Sequence, residues 1–370
     1  MRGYYLVSIS KEIMHKKYEG VAKKIHSQIE IFNGESLYTK LYCYESKNSF
    51  LFKVARHLPF NSFVFEKKYN SEFNGSDFIY IRKMAFDIDF ILLLKNIKKN
   101  NPRIKVVIEL PTYPYDKERS RRIIYFASNI KDAFYKHKLK KYVDRIVTFS
   151  NDDIIFGIPA IKLSNGIDCN RITSKKPSDA KEIHVIAVAM LSFWHGYDRF
   201  IEGLGLYYKS GGKRDVVLHI VGDGDVINFY KNKVHEYGLQ DKVFFHGKLY
   251  GPSLDELYDL CEIGLDAMGR HRSGVYYNSS LKGKEYLAKG LPIVSGVETE
   301  LDYIKDFKYY MRVSADDSPI NIKEIISFYD SVYVGNSKNK VISEIRRYAE
   351  KNFDQKVCMQ PLVKYLSSGN

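Results

Sequence analysis

The stretch Tyr277-Asn278-Ser279-Ser280-Leu281-Lys282-Gly283-Lys284-Glu285-Tyr286-Leu287-Ala288-Lys289-Gly290-Leu291-Pro292-Ile293-Val294 decides how the chain reads. A small-polar loop runs into a short helix, which turns through Gly290 and Pro292 into an apolar strand. The start of a helix offers N–H groups without intrahelical partners and the positive end of its peptide dipoles, so this order suits an anion. Asn278, Ser279, Ser280 and Leu281 stand at that entry, and Lys282 and Lys284 add charge. A diphosphate fits such a place. Glu285 falls within the helix, where its carboxylate is suited to accept hydrogen bonds from two ribose hydroxyls. The same residues also fit an ordinary loop, helix and buried strand with solvated lysines.

Outward from that stretch, a chain of 370 residues is long for one core and suits two domains. Apolar residues make up 45% and charged ones 28%, the balance of a globular protein. Lysine and arginine number 58 against 44 acids, a formal charge of +14 that favours anionic partners: phosphorylated substrates, acidic membranes or nucleic acid. The basic residues are spread along the chain without an aromatic-interleaved recognition motif, so no nucleic-acid partner is expected. Cys43, Cys169, Cys261 and Cys358 are far apart, with no CxxC and no histidine at ligand spacing, which points to reduced thiols, no metal and a cytoplasmic protein. The opening Met-Arg-Gly-Tyr-Tyr-Leu-Val-Ser-Ile-Ser turns polar too soon for a signal peptide. No run approaches the roughly 20 apolar residues of a spanning helix, so any membrane contact is expected to be peripheral, at the inner face of the cell membrane.

Residues 4 to 9 read as a buried first strand, and Val21, Ile25 and Ile29 as the apolar face of a helix entered through Gly20, a residue that lets backbone approach a ligand. Strands at 78–81, 105–110 and 145–150 alternate with helical segments, the rhythm of a parallel sheet. Ligands of such sheets bind beyond the carboxyl ends of the strands, which singles out Glu109, Tyr113 and Asp116. Residues 117 to 145 interleave ten basic side chains with apolar ones, as a solvated helix face does and as a helix lying on an anionic membrane does. Ser164-Asn165-Gly166-Ile167-Asp168 closes the first half. Pro177 to Glu182 reads as a linker, and a second run of strands and helices follows from His184. The expected division is 1–175 and 176–354, with a last helix at about 355–370 packing back on the first domain.

In the second half, Val188-Ala189-Met190-Leu191 with His195-Gly196-Tyr197-Asp198, then Leu218-His219-Ile220-Val221-Gly222-Asp223-Gly224, then Val243-Phe244-Phe245-His246-Gly247-Lys248-Leu249, precede the stretch from Glu285 to Val294. In this order and spacing they resemble glycosyltransferases of the GT-B fold, closest to the retaining glycosyltransferase family four of bacterial polysaccharide assembly. Glu19-Gly20-Val21 resembles that family's glycine loop. The resemblance implies an α/β protein with two Rossmann-like parallel-sheet domains facing a central cleft.

It further implies a hexosyltransferase that moves a sugar from a nucleotide sugar, UDP-linked by expectation, to a hydroxyl of a glycan or lipid-linked acceptor in capsule or exopolysaccharide synthesis, with retention and no metal. The base is then expected near Lys248 and Leu249, the ribose on Glu285, and the diphosphate over Asn278, Ser279, Ser280, Leu281 and Lys282, with His195 and Gly196 beside it. Gly20, Tyr113 and Asp116 fall on the acceptor side, Glu109, Lys282 and Glu285 carry the catalytic expectation, and Glu109 is expected to orient the acceptor. The sequence departs from the family at Tyr277, where the first of two glutamates is usual, and at Met190 and His195, where a basic pair commonly grips the diphosphate. The charge must then come from Lys282, Lys284, Arg270 and Arg272. A catalytically silent partner subunit of another transferase fits these departures, and a nucleotide-sugar epimerase of the same fold is a further alternative.

Overall fold

The computed structural model describes residues 1–9, 12, 14, 20–45, 67–115 and 126–368, without the side chains of 126–129. Asp116, residues 117–125 of the basic segment and Glu19 of the glycine loop lie outside the described residues. The chain divides into two units, Met1–Leu163 with Met359–Asn370, and Ser164–Cys358.

In the first unit, β1 (Arg2–Val7), α1 (Gly20–Gly34), β2 (Tyr38–Cys43), β3 (Phe78–Arg82), α2 (Ile88–Asn100), β4 (Lys105–Leu110), α3 (Phe126–Lys136), β5 (Arg145–Thr148), β6 (Ile154–Ile155) and β7 (Ile158–Lys162) follow in order. The sheet runs β2-β1-β3-β4-β5-β7-β6, parallel except for the hairpin between β6 and β7. Because successive strand side chains face opposite ways, Tyr4, Leu6, Ile79, Ile81, Val106 and Ile108 enter one core layer, while Tyr5, Val7, Phe78, Tyr80 and Val107 enter the other. That is why these strands read as unbroken apolar runs. Met359, Leu362, Val363 and Leu366 of the terminal helix complete the second layer.

The second unit holds β8 (Ile183–Val188), α4 (Tyr197–Lys209), β9 (Val216–Val221), α5 (Ile227–Glu236), β10 (Val243–Phe245), α6 (Pro252–Leu260), β11 (Ile263–Leu265), α7 (Leu281–Lys289), β12 (Ile293–Ser295), β13 (Tyr310–Arg312), α8 (Ile322–Tyr333) and α9 (Lys338–Phe353). The chain then enters α10 (Gln355–Ser367), which passes into the first unit. The sheet is parallel in the order β10-β9-β8-β11-β12-β13, so it is doubly wound outward from β8. The linker expected at 177–182 is not where the units part. Asn165 donates from its backbone N–H to Ser279 Oγ (2.8 Å) and from Nδ2 to Ser279 O (2.6 Å), and Arg346 binds the carbonyls of Cys169 and Ile172, which ties 164–172 into the second unit. A Cβ on Gly166 would stand 2.5 Å from Gln355 Cα, so only glycine fits this approach. Among the described residues the four cysteines are free thiols, and no helix is long and apolar enough to cross a membrane.

Candidate active site

The carboxyl edge of the second sheet gathers the loops after β8, β9, β11 and the start of α7. Glycines make the gathering possible: a Cβ on Gly222, whose φ is +121°, would stand 1.7 Å from Ala189 O, and one on Gly196, at φ +63°, would stand 2.5 Å from Gly269 N. The His195-Gly196 turn therefore lies against the Met268-Gly269 segment, and Met268 N–H donates to His195 O at 2.7 Å. Arg199, fully buried, fastens the same segment by donating to Met268 O and, at 2.7 Å, to Ser318 O.

α7 begins at Ser280, whose hydroxyl caps Gly283 N–H and donates to Asp266 Oδ1 at 2.8 Å. Two residues on, within the first turn, the Lys282 amine stands 3.8 Å from Asp266 Oδ1 and 3.4 Å from Tyr197 Oη. Burial lowers the Lys282 ammonium below the usual lysine range and Arg270 adds to that, while Asp266 works against it. His195 is also buried; burial first, then Lys282 and Arg270, push its imidazolium down to about 2. Its Nδ1 accepts the Ser192 N–H at 3.0 Å, so the neutral ring carries its proton on Nε2 and is a donor there. The Arg270 guanidinium lies 6.0 Å over the Trp194 ring. Lys282, Arg270 and His195 thus share one electropositive spot at a helix start, an arrangement suited to an anion.

The other expected anion ligands are engaged elsewhere. Lys284, 2% exposed, pairs with Glu300 Oε1 at 2.6 Å and lies 4.0 Å over the Phe353 ring. Ser279 donates to the same Glu300 oxygen at 2.8 Å while accepting from Asn165. Burial would raise the Glu300 carboxyl, but Lys284 holds it below its ordinary value. Arg272 forks onto both oxygens of Asp198 (2.9 and 2.8 Å) and reaches Asp317 at 2.6 Å, which raises its own pKa. These three side chains hold loops together in this structure. Glu285 is on the exposed face of α7, with Leu281 one turn before it. Lys248 is exposed and Leu249 half-buried after β10, and Met190 is 83% exposed after β8. Tyr277 is half-buried, bridging to Glu298 through backbone and packing 6.5 Å from the Tyr303 ring.

In the first unit, Gly20 opens α1 and Glu109 stands near the end of β4. Glu109 is fully buried: its carboxylate accepts from Tyr80 Oη at 2.5 Å, from Gln28 Nε2 at 2.7 Å and from Arg82. Burial alone would raise its pKa, but Arg82 and Lys24 bring it below the ordinary value. Tyr5 donates to Gln28 Oε1 at 2.7 Å and completes the cluster. Glu109 is therefore the hub of a buried polar network. Tyr113 packs among Tyr115 and Phe156. Sequence reasoning missed Asp266, Arg199, Arg82 and Gln28. Only Asp266, an acid directly after a short apolar run, carried a signal. Among the described residues no group of three or more histidines, cysteines or carboxylates is placed to hold a metal.

Residues 169–266 match the family model described as Glycosyl transferases group 1. HepE of Anabaena in complex with UDP is 14% identical, with a TM-score of 0.62 over 100% of both chains. The lipopolysaccharide outer core galactosyltransferase WaaB, apo form, is 13% identical at 0.62 over 99% of each. The fold is GT-B. Sucrose-phosphate synthase of Thermosynechococcus elongatus, 11% identical at 0.65 over 98% of each chain, shares it. The resemblance read from the sequence and the two Rossmann-like units of this GT-B chain agree. No curated protein sequence matches this one.

Proposed function

We propose that this GT-B chain transfers a hexosyl group from a nucleotide sugar, UDP-linked, to a hydroxyl of a glycan or lipid-linked acceptor, with retention and without a metal, in capsule or exopolysaccharide synthesis. The observation that carries the reading is the convergence of Lys282, Arg270 and His195 at the start of α7. HepE is described in complex with UDP and with UDP-glucose. Here the bond between anomeric carbon and phosphate oxygen breaks, the acceptor oxygen bonds to the same face of the sugar, and the acceptor proton passes to the departing diphosphate. Lys282 and Arg270 supply positive charge where the phosphate charge grows, and His195 donates its Nε2–H without ionising. Glu285 takes the ribose hydroxyls, and Lys248 and Leu249 border the base. Gly20, Tyr113 and Asp116 remain the acceptor-side residues, and residues 117–145 the place of any contact with an anionic membrane. The chain acts at the cytoplasmic face in this reading.

Thermal shift and titration calorimetry with UDP and UDP-sugars test it. UDP raises Tm by mass action. Lys282→Ala weakens UDP binding by about tenfold or more, the worth of a charge-assisted hydrogen bond at about 1.5–3 kcal/mol. Glu285→Ala loses the shift, while Lys284→Ala lowers the apo Tm and leaves UDP affinity in place. A protein whose Tm no nucleotide moves would falsify the reading.

A further inference from the structure

The carboxyl edge of the first unit's sheet holds Arg82 and Glu109. At the opposite edge, where β4 begins with Lys105 and β5 with Arg145, a surface cavity of about 490 Å3 opens. Five lysines line it, Lys95, Lys98, Lys99, Lys140 and Lys141, against one aspartate, Asp144. Asp144 is already engaged: it takes the Lys98 amine at 2.7 Å and the Val106 N–H at 2.7 Å, and Lys98 also donates to Ile104 O at 2.8 Å. That pair is part of the cavity lining. The other four lysines are exposed, and among the described residues none of them is paired with a carboxylate.

The helix dipole accounts for cations in the last turn of α2, where Lys98 and Lys99 stand. It does not account for Lys140 and Lys141, which a separate 3-10 turn, Leu139–Lys141, brings to the same cavity. Like charges gathered in a concavity repel in the empty state, and an anion with several oxygens relieves that repulsion at once. Leu92, 47% exposed and one turn before Lys95 on α2, adds an apolar side chain beside the lysines, the pairing that peripheral membrane surfaces use. We propose that this cavity binds clustered phosphate groups, presented by an anionic lipid headgroup or by a free phosphate compound. The site belongs to the first unit and Lys282 to the second, so the proposal does not rest on nucleotide-sugar binding; because Lys140 and Lys141 fall within residues 117–145, its lipid arm deepens the membrane contact of the proposed function.

The test uses the full chain and two probes: phosphatidylcholine vesicles with and without phosphatidylglycerol, by flotation, and inorganic tripolyphosphate, by calorimetry. The variant carries Lys95→Ser, Lys99→Ser, Lys140→Ser and Lys141→Ser. A control of equal charge carries Lys209→Ser, Lys213→Ser, Lys305→Ser and Lys323→Ser, all exposed in the second unit. Loss of about tenfold or more in the cavity variant alone is expected, since each lysine near an anionic surface contributes about fivefold. Loss confined to vesicles assigns the lipid, and loss with both probes assigns phosphate in general. The smaller Lys140→Ser, Lys141→Ser variant, judged folded by circular dichroism, repeats the test with a smaller drop. Equal loss in the control, an unchanged cavity variant, or a wild-type protein that binds neither probe overturns the proposal.

Discussion

Lys282 and Lys284 read alike in the sequence and end on opposite sides of α7. Two residues of an α-helix subtend roughly 200°, so no single anion can meet both. One amine goes to Asp266 and Tyr197, the other to Glu300. Arg270 and Arg272 part in the same way across a 3-10 turn, one toward Lys282 and the other onto Asp198. Residue type marked the neighbourhood, and backbone angle chose which side chain serves it. Glu109 teaches a related lesson, because a carboxylate at a strand's carboxyl end is either a ligand or the hub of a buried network. Glu109→Ala takes away the buried carboxylate that offsets the repulsion between Arg82 and Lys24. Burial already brings Lys24 down to about 8, and without Glu109 it falls further. The expected cost is about 3–5 kcal/mol, as when one partner of a buried pair is removed. A urea midpoint equal to wild type would show that the network is not structural.

At the level of elements, central strands were legible and edges were not. β3, β4, β8 and β9 are buried along most of their length, so apolar residues dominate each of them and the run stands out. β2 and β13 close their sheets at one side, and their burial alternates or fades, which hides them among polar residues. In α8, Ile322, Ile325, Phe328 and Val332 keep helical spacing and are buried on one face. No pattern within one element could reveal a row of imidazoles that runs from β8 through β9 to the residue just after β10. His184 Nδ1 lies 2.9 Å from His219 Nε2, and His219 Nδ1 lies 2.9 Å from His246 Nε2. Burial lowers all three, His219 to about 3, where the two flanking histidines add to the effect; Glu262 and Glu182 oppose it at His184 and Lys338 adds to it. The folded pKa is below the unfolded one of about 6.5, so the unfolded chain binds more protons in between. Stability is then fully present above about pH 6.5 and falls as pH drops toward 3, with His219 the largest of the three contributors. Melting from pH 8 to pH 4.5 checks the sign, and His219→Asn flattens the slope. A Tm that rises on acidification would reverse it.

Across the whole molecule, the two units draw on separate cores that one helix completes at the end of the chain. The first residues of α10 belong with Gly166, where the approach is so close that no side chain fits, and the last ones fill a layer of the first unit. Lys105 adds to that closure by donating to Tyr365 O at 2.9 Å, on the sheet edge opposite Glu109. Leu362 is fully buried in that layer. Leu362→Ala removes apolar volume and leaves a cavity, a loss of about 2–5 kcal/mol. The damage belongs to the first unit. The anion-binding residues proposed for UDP, Lys282, Arg270 and His195, belong to the second. Leu362→Ala should therefore lower the unfolding transition of residues 1–163 in hydrogen exchange while UDP still protects the amides around α7. If UDP protection at α7 disappears with Leu362, the nucleotide site depends on the first unit's core, and the two units do not act separately in binding.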